Sequence, residues 1–135
     1  MWSAPEPGDI VWCRFPETPR DKPGPKPRPA LVLEAVEMAD GIEVKVAYGT
    51  SKKLGRLQAG EFAVRKLDNS VAYTQAGLSY DTKFDLARAL SLPWNSMYFG
   101  IPHDPKYGQN PKQGSLHSGM MKIVEAAWRA TRSHR

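Results

Sequence analysis

Six prolines stand within fourteen positions, Pro16, Pro19, Pro23, Pro25, Pro27 and Pro29, and this run constrains the fold more than any other feature of the chain. Proline fixes φ and lacks the N–H that a helix interior or a central strand must donate. The run therefore reads as a semi-extended polyproline II loop, tipped by Lys22-Pro23-Gly24-Pro25-Lys26. A stiff basic loop inside a small domain is more often functional than a free linker.

Short strand patterns flank that loop. Residues Gly8 to Phe15 carry the β-branched and aromatic side chains that strands favour. Ala30 to Val36 is a nearly continuous apolar run, as in a strand buried on both faces. Asp40-Gly41 is a hairpin signal, after which Ile42, Val44, Val46 and Tyr48 alternate with Glu43, Lys45, Ala47 and Gly49. Gly49 to Lys53 reads as a polar, basic turn. Glu61 to Arg65 and Thr82 to Leu86 are two further short strands; with Phe84 facing the core, Lys83 and Asp85 share the opposite, wetter face.

Asn69 to Ala76 fits a short helical turn, and residues 93–114, broken by Pro and Gly, read as irregular. Leu116, Met120, Ile123, Val124 and Ala127 follow helical spacing and predict an amphipathic helix over about 115–130. Gly114-Ser115 offers its N-cap, and Arg129, Arg132 and Arg135 suit its C-terminus. The class expected is mainly β with a C-terminal α-helix, arranged as a small, partly open β-barrel of five strands.

At 135 residues the chain is read as a single domain, 1–135, able to bury a core without staples. Its 41% hydrophobic and 24% charged residues argue against wholesale disorder. Without a long apolar run or a signal-like N-terminus, a cytoplasmic protein with no membrane contact is expected. The lone Cys13 reads as a small buried hydrophobe, and His103, His117 and His134 show no metal-ligand spacing, so no metal or cofactor is expected. Nineteen basic against fourteen acidic residues give +5, which makes nucleic acid the first partner to consider. Most of the excess, +4, falls in residues 71–135, where 8 basic groups face 4 acidic.

The order of these segments resembles the MazF/PemK-like toxins of type II toxin-antitoxin pairs. Gly8-Asp9-Ile10-Val11-Trp12, then Arg28-Pro29-Ala30-Leu31-Val32-Leu33 after a variable loop, look like the family's opening. Val46-Ala47-Tyr48-Gly49-Thr50-Ser51, Gly60-Glu61-Phe62 and Thr82-Lys83-Phe84-Asp85-Leu86 continue the match over residues 7–90. The resemblance implies an SH3-like barrel of the MazF/PemK/CcdB type, usually a homodimer. It implies a metal-independent endoribonuclease acting on single-stranded RNA such as mRNA, and held in check by a cognate antitoxin protein. On the matching positions, Arg28 is the catalytic arginine, Thr50 the hydroxyl that contacts phosphate, and Lys83 with Asp85 the basic and acidic pair. One departure is plain: the family's Gly-x-Glu-Gln-type first loop is replaced here by the Pro16 to Pro27 run.

Chemically, such a cut uses the RNA's own 2′-OH as nucleophile and leaves a 2′,3′-cyclic phosphate and a 5′-OH. It needs a cation against the phosphorane, a proton acceptor and a proton donor. Arg28 offers a planar fork to phosphate, Thr50 a hydroxyl, and Asp85 a carboxylate whose pKa Lys83 should depress, which favours Asp85 as a hydrogen-bonder to a base. Lys22, Lys26, Ser51, Lys52, Lys53 and Lys83 are the candidate RNA contacts, and Trp2, Trp12, Trp94 and Trp128 include possible stacking platforms. Taken singly, each has a structural reading: a solvated arginine, ordinary turn hydroxyls, a surface ion pair, core tryptophans. The alternatives are a non-catalytic barrel that grips a protein target or only pairs with an antitoxin, and a nucleic-acid-binding domain without chemistry.

Overall fold

The computed structural model describes residues 2–16, 22–102 and 108–133. Six strands, β1 (Asp9–Cys13), β2 (Arg28–Met38), β3 (Gly41–Thr50), β4 (Glu61–Val64), β5 (Thr82–Pro93) and β6 (Lys112–Ser115), form one sheet in the order β4-β5-β3-β2-β1-β6. Every neighbouring pair is antiparallel. The two edge strands, β4 and β6, do not pair with each other, so the sheet is open. Two helices accompany it, α1 (Ser70–Gln75) and the C-terminal α2 (Met121–Ser133). The class is mainly β with a short C-terminal helix, as the patterning indicates. No helix among the described residues is long and apolar enough to cross a membrane.

Strand alternation sorts the apolar side chains onto two faces, and both are covered. Ile10, Leu31, Ala47 and Phe84 pack with Ala72 of α1 and Ala127 of α2. Val11, Cys13, Val32, Val44 and Val46 pack instead with Trp94, Tyr98 and Phe99. This double burial accounts for Ala30, Leu31 and Val32 in β2, whereas beyond Glu34 the run emerges to solvent and Val36 is exposed.

The long β2–β3 hairpin turns at Ala39-Asp40, and Gly41 takes a φ of +144° that side chains rarely adopt. Opposite β3, Ala47 pairs with Ala89 but Tyr48 pairs with Asp85. Leu86, Ala87 and Arg88 therefore stand outside the ladder as a three-residue bulge. The bend divides β5: residues before it pair with β4 and the end of β3, and residues after it run along the hairpin.

Several boundaries differ from the sequence reading. β5 runs to Pro93 rather than Leu86, because the bulge hides its second half from any period-2 pattern. β2 starts at Arg28, so Pro29 lies inside a strand, opposite Trp12 at its first turn of pairing. A sixth strand, β6, lies within the stretch expected to be irregular, and Ser115 belongs to it rather than to a helix cap. The helix is instead preceded by a 3-10 turn, Ser118–Met120, capped by His117, whose Nδ1 accepts from the Gly119 N–H at 2.9 Å. Met120 and Ala127 are buried as expected, whereas Ile123 is half exposed. Cys13 is fully buried, as anticipated. His103, His134, Arg135 and Pro19 lie outside the described residues.

Candidate functional site

Where β1 and β3 end and β2 and β5 begin, the chain leaves a cleft of about 360 Å³. Its size falls in the range of small-ligand sites. Arg28, Thr50 and Ser51 line it, with Trp12, Tyr80 and Gln113 among the other walls. The pairing explains the meeting. Ala30 faces Tyr48 in the β2–β3 ladder, and the same register carried two residues further sets Arg28 opposite Thr50. Two positions 22 apart in sequence thus meet at one strand end.

The cleft's floor is fixed from below. α1 is capped by Asn69, whose Oδ1 accepts from Ala72 N–H at 3.0 Å, and ends at Gly77 with a φ of +68°. Gln113 of β6, buried, donates to the Gly77 carbonyl at 3.1 Å and thereby ties the edge strand to the helix end. Gly114 is packed so tightly on Ala76 that a Cβ would lie 2.3 Å from its backbone. Thr82 donates to the Tyr80 carbonyl at 2.8 Å, and Tyr80 itself is 74% exposed at the rim.

Arg28 is the only charged side chain lining the cleft among the described residues, and it makes no ion pair or hydrogen bond to any of them. The described lining therefore carries a positive charge. Thr50 Oγ1 accepts from Lys52 N–H at 3.2 Å, which shapes the turn that follows. In that turn Ser51, Lys52 and Lys53 are exposed, and Lys53 holds a φ of +55°, unusual for a side-chain-bearing residue. Arg65 braces the loop by donating to the Leu54 carbonyl.

Lys83 and Asp85 are placed differently from expectation. Lys83 is not on a wet face: its Nζ lies 3.0 Å from Glu61 Oε2, and both side chains are under a tenth exposed. It also donates to the Arg56 carbonyl at 3.4 Å, so it holds the basic loop from inside. Asp85 is partly buried and does not line the cleft; its Oδ1 accepts from Ala87 N–H at 2.9 Å within the bulge. Burial holds its carboxyl above the ordinary carboxylate range, Glu61 adds to the rise, and the Ala87 N–H, Arg88 and Lys83 oppose it. Lys83 does lower the pKa, as expected, but burial outweighs that pull and the net shift is upward.

Lys22 and Lys26 are exposed on either side of buried Gly24, whose N–H donates to the Arg14 carbonyl at 2.9 Å. Of the loop's prolines, only Pro19 falls outside the described residues. Of the tryptophans, Trp94 is core, edge-on to Trp2 and donating to the Ser3 carbonyl at 3.1 Å; only Trp12 faces the cleft. Tyr80 went unsuspected in the sequence, where nothing but its place in a polar turn marks it. Among the described residues no cluster of His, Cys, Asp or Glu is arranged to hold a metal ion.

No protein-family model matches the chain, and no curated protein matches it.

Proposed function

We propose that this protein is an endoribonuclease of the MazF/PemK type on an SH3-like barrel, cutting single-stranded RNA by transphosphorylation without a metal. The observation that carries the reading is the convergence of Arg28 and Thr50 on one positively charged cleft. A guanidinium with unengaged donors can bind a scissile phosphate through two parallel hydrogen bonds. In the reaction the 2′-oxygen bonds to phosphorus and gives its proton to a base, the bond from phosphorus to the 5′-oxygen breaks, and that oxygen takes up a proton. Arg28 would neutralise the charge that grows on the phosphorane, and Thr50 would fix a non-bridging oxygen. Asp85 is the candidate base, supported by its raised pKa and by its position opposite Tyr48, two residues from Thr50. Trp12 and Tyr80 supply aromatic walls for unstacked bases, and exposed Lys52 and Lys53 a basic rim.

The same reading includes a homodimer and an antitoxin as partners. Half-exposed Ile123, Met121 and Trp128 on α2 give dimerisation a physical motive. The runner-up, a non-catalytic barrel that grips a protein, is favoured by one observation: no carboxylate or imidazole lines the cleft among the described residues. Mass spectrometry of the ends left on a mixed-sequence RNA separates the two. The enzyme leaves 2′,3′-cyclic phosphate and 5′-OH ends, whereas the binder leaves the RNA intact.

A further inference from the structure

The bulge in β5 presents Arg88 on the same sheet face as Thr50. Its Cζ lies 4.1 Å from the centre of the Tyr48 ring and 5.6 Å from that of Phe15, and the two rings meet edge to face at 5.2 Å. One side of the guanidinium is thus held by aromatic surface while the side chain remains exposed. Its N–H groups meet no acceptor among the described residues. Asp85 belongs to the same bulge, yet its carboxylate accepts from Ala87 N–H and forms no ion pair with Arg88. A side chain needed only to cover Tyr48 and Phe15 would require neither a three-residue bulge nor five donors. A fixed fork with unmet donors is what recognises a phosphate.

We propose that Arg88, seated on Tyr48, is a second phosphate-binding position, so that the protein grips two successive phosphates of one RNA strand. The inference rests on the ribonuclease reading, since the first of the two positions is the Arg28–Thr50 cleft. Tyr48 and Thr50 are two residues apart on β3 and point to the same face, a separation of about 7 Å. That distance is within reach of neighbouring phosphates on one extended strand. Gly24 closes the same region from the other side. A Cβ there would lie 2.3 Å from the Phe15 carbonyl oxygen, so the chain bearing Lys22 and Lys26 is packed directly against the segment that supplies Phe15.

The test measures binding of a mixed-sequence single-stranded 2′-O-methyl RNA, which has no free 2′-OH and cannot be cut, over a salt series. Wild type is compared with Arg88→Ala, Arg88→Lys and Arg28→Ala, with circular dichroism confirming the fold of each. We expect Arg88→Ala to weaken binding roughly tenfold at low salt and to make the slope of log affinity against log salt shallower by about 0.7, the share of one phosphate on a single strand. Arg88→Lys keeps the slope, because the charge remains, but binds less tightly for want of the planar fork. An Arg88→Ala protein that matches wild type while Arg28→Ala is weakened overturns the second position and leaves the cleft standing. An effect of Arg88→Ala with none from Arg28→Ala supports Arg88 and contradicts the cleft. A wild type that does not bind the RNA overturns both.

Discussion

Lys83 Nζ and Glu61 Oε2 stand 3.0 Å apart across the β4–β5 ladder, in a pair that solvent scarcely reaches. Glu61 Oε1 completes the pair at 3.1 Å and also accepts from Gln58 N–H at 2.6 Å. Removing the lysine strands a buried carboxylate, at a cost of about 3–5 kcal/mol. We expect Lys83→Ala to lose stability of that order in urea unfolding, and Lys83→Met combined with Glu61→Leu to recover most of it. A Lys83→Ala protein as stable as wild type would show that the pair is solvated.

Asp85 gives a pH dependence of definite sign. Its folded-state pKa is raised above the ordinary value of 3.8, mainly by burial. The folded protein therefore takes up the proton more readily than the unfolded chain, and this group's contribution to stability is fullest below pH 3.8 and lost as pH rises through the raised value. Asp85→Asn should match or exceed wild-type stability at neutral pH, since its side-chain oxygen can still accept from Ala87 N–H. As the proposed base, it should cut RNA 10²- to 10⁴-fold more slowly, about the worth of general-base catalysis. The wild-type rate should climb with pH through the carboxyl's titration, a limb absent from the variant. A pH–rate profile shared by both proteins would remove Asp85 from the mechanism.

Gly24 anchors the proline-rich loop, and any Cβ there collides with the Phe15 backbone. Gly24→Ala should destabilise by about 1–3 kcal/mol, as overpacking does. Limited proteolysis should then cut the Lys22–Pro27 stretch sooner than in wild type. Unchanged protection would mean that the loop is held elsewhere.

Cys13 lies buried in β1, and its thiol is pushed up to about 12, by burial first, with Arg14 pulling slightly the other way. It should ignore a thiol reagent in the native state and react fully once the chain is unfolded. The neutral thiol's contribution to stability is complete below about pH 9 and fades as pH approaches 12. Native-state labelling at the rate of a free thiol would contradict this burial.

Legibility in the sequence followed the strength of local periodicity. β1, β3 and β4 were readable because alternation and β-branched residues reflect burial one residue at a time, and α1 because Asn69 and Gly77 punctuate it. The second half of β5 was not, since the bulge at residues 86–88 breaks its period, and β6 was not, since Lys112-Gln113-Gly114-Ser115 carries no strand pattern and pairs only through its edge position. At the site, Arg28, Thr50 and Ser51 were named from the resemblance and do share a cleft. The burial of Lys83 is not legible, because nothing local announces Glu61, 22 residues away, as its partner. Tyr80 and Arg88 reach their places through tertiary packing alone.

The most direct test of the central claim is cleavage of mixed-sequence single-stranded RNA by the purified protein in EDTA, with Arg28→Ala alongside. Arg28 is half-buried and unpaired among the described residues, so its loss should spare the fold while removing the cation that faces the scissile phosphate. We expect wild type to release fragments with cyclic-phosphate ends and the folded variant to be slower by 10²-fold or more, the order of one lost transition-state donor. Intact RNA from a folded wild type, or equal cleavage by both proteins, would contradict a ribonuclease working through Arg28.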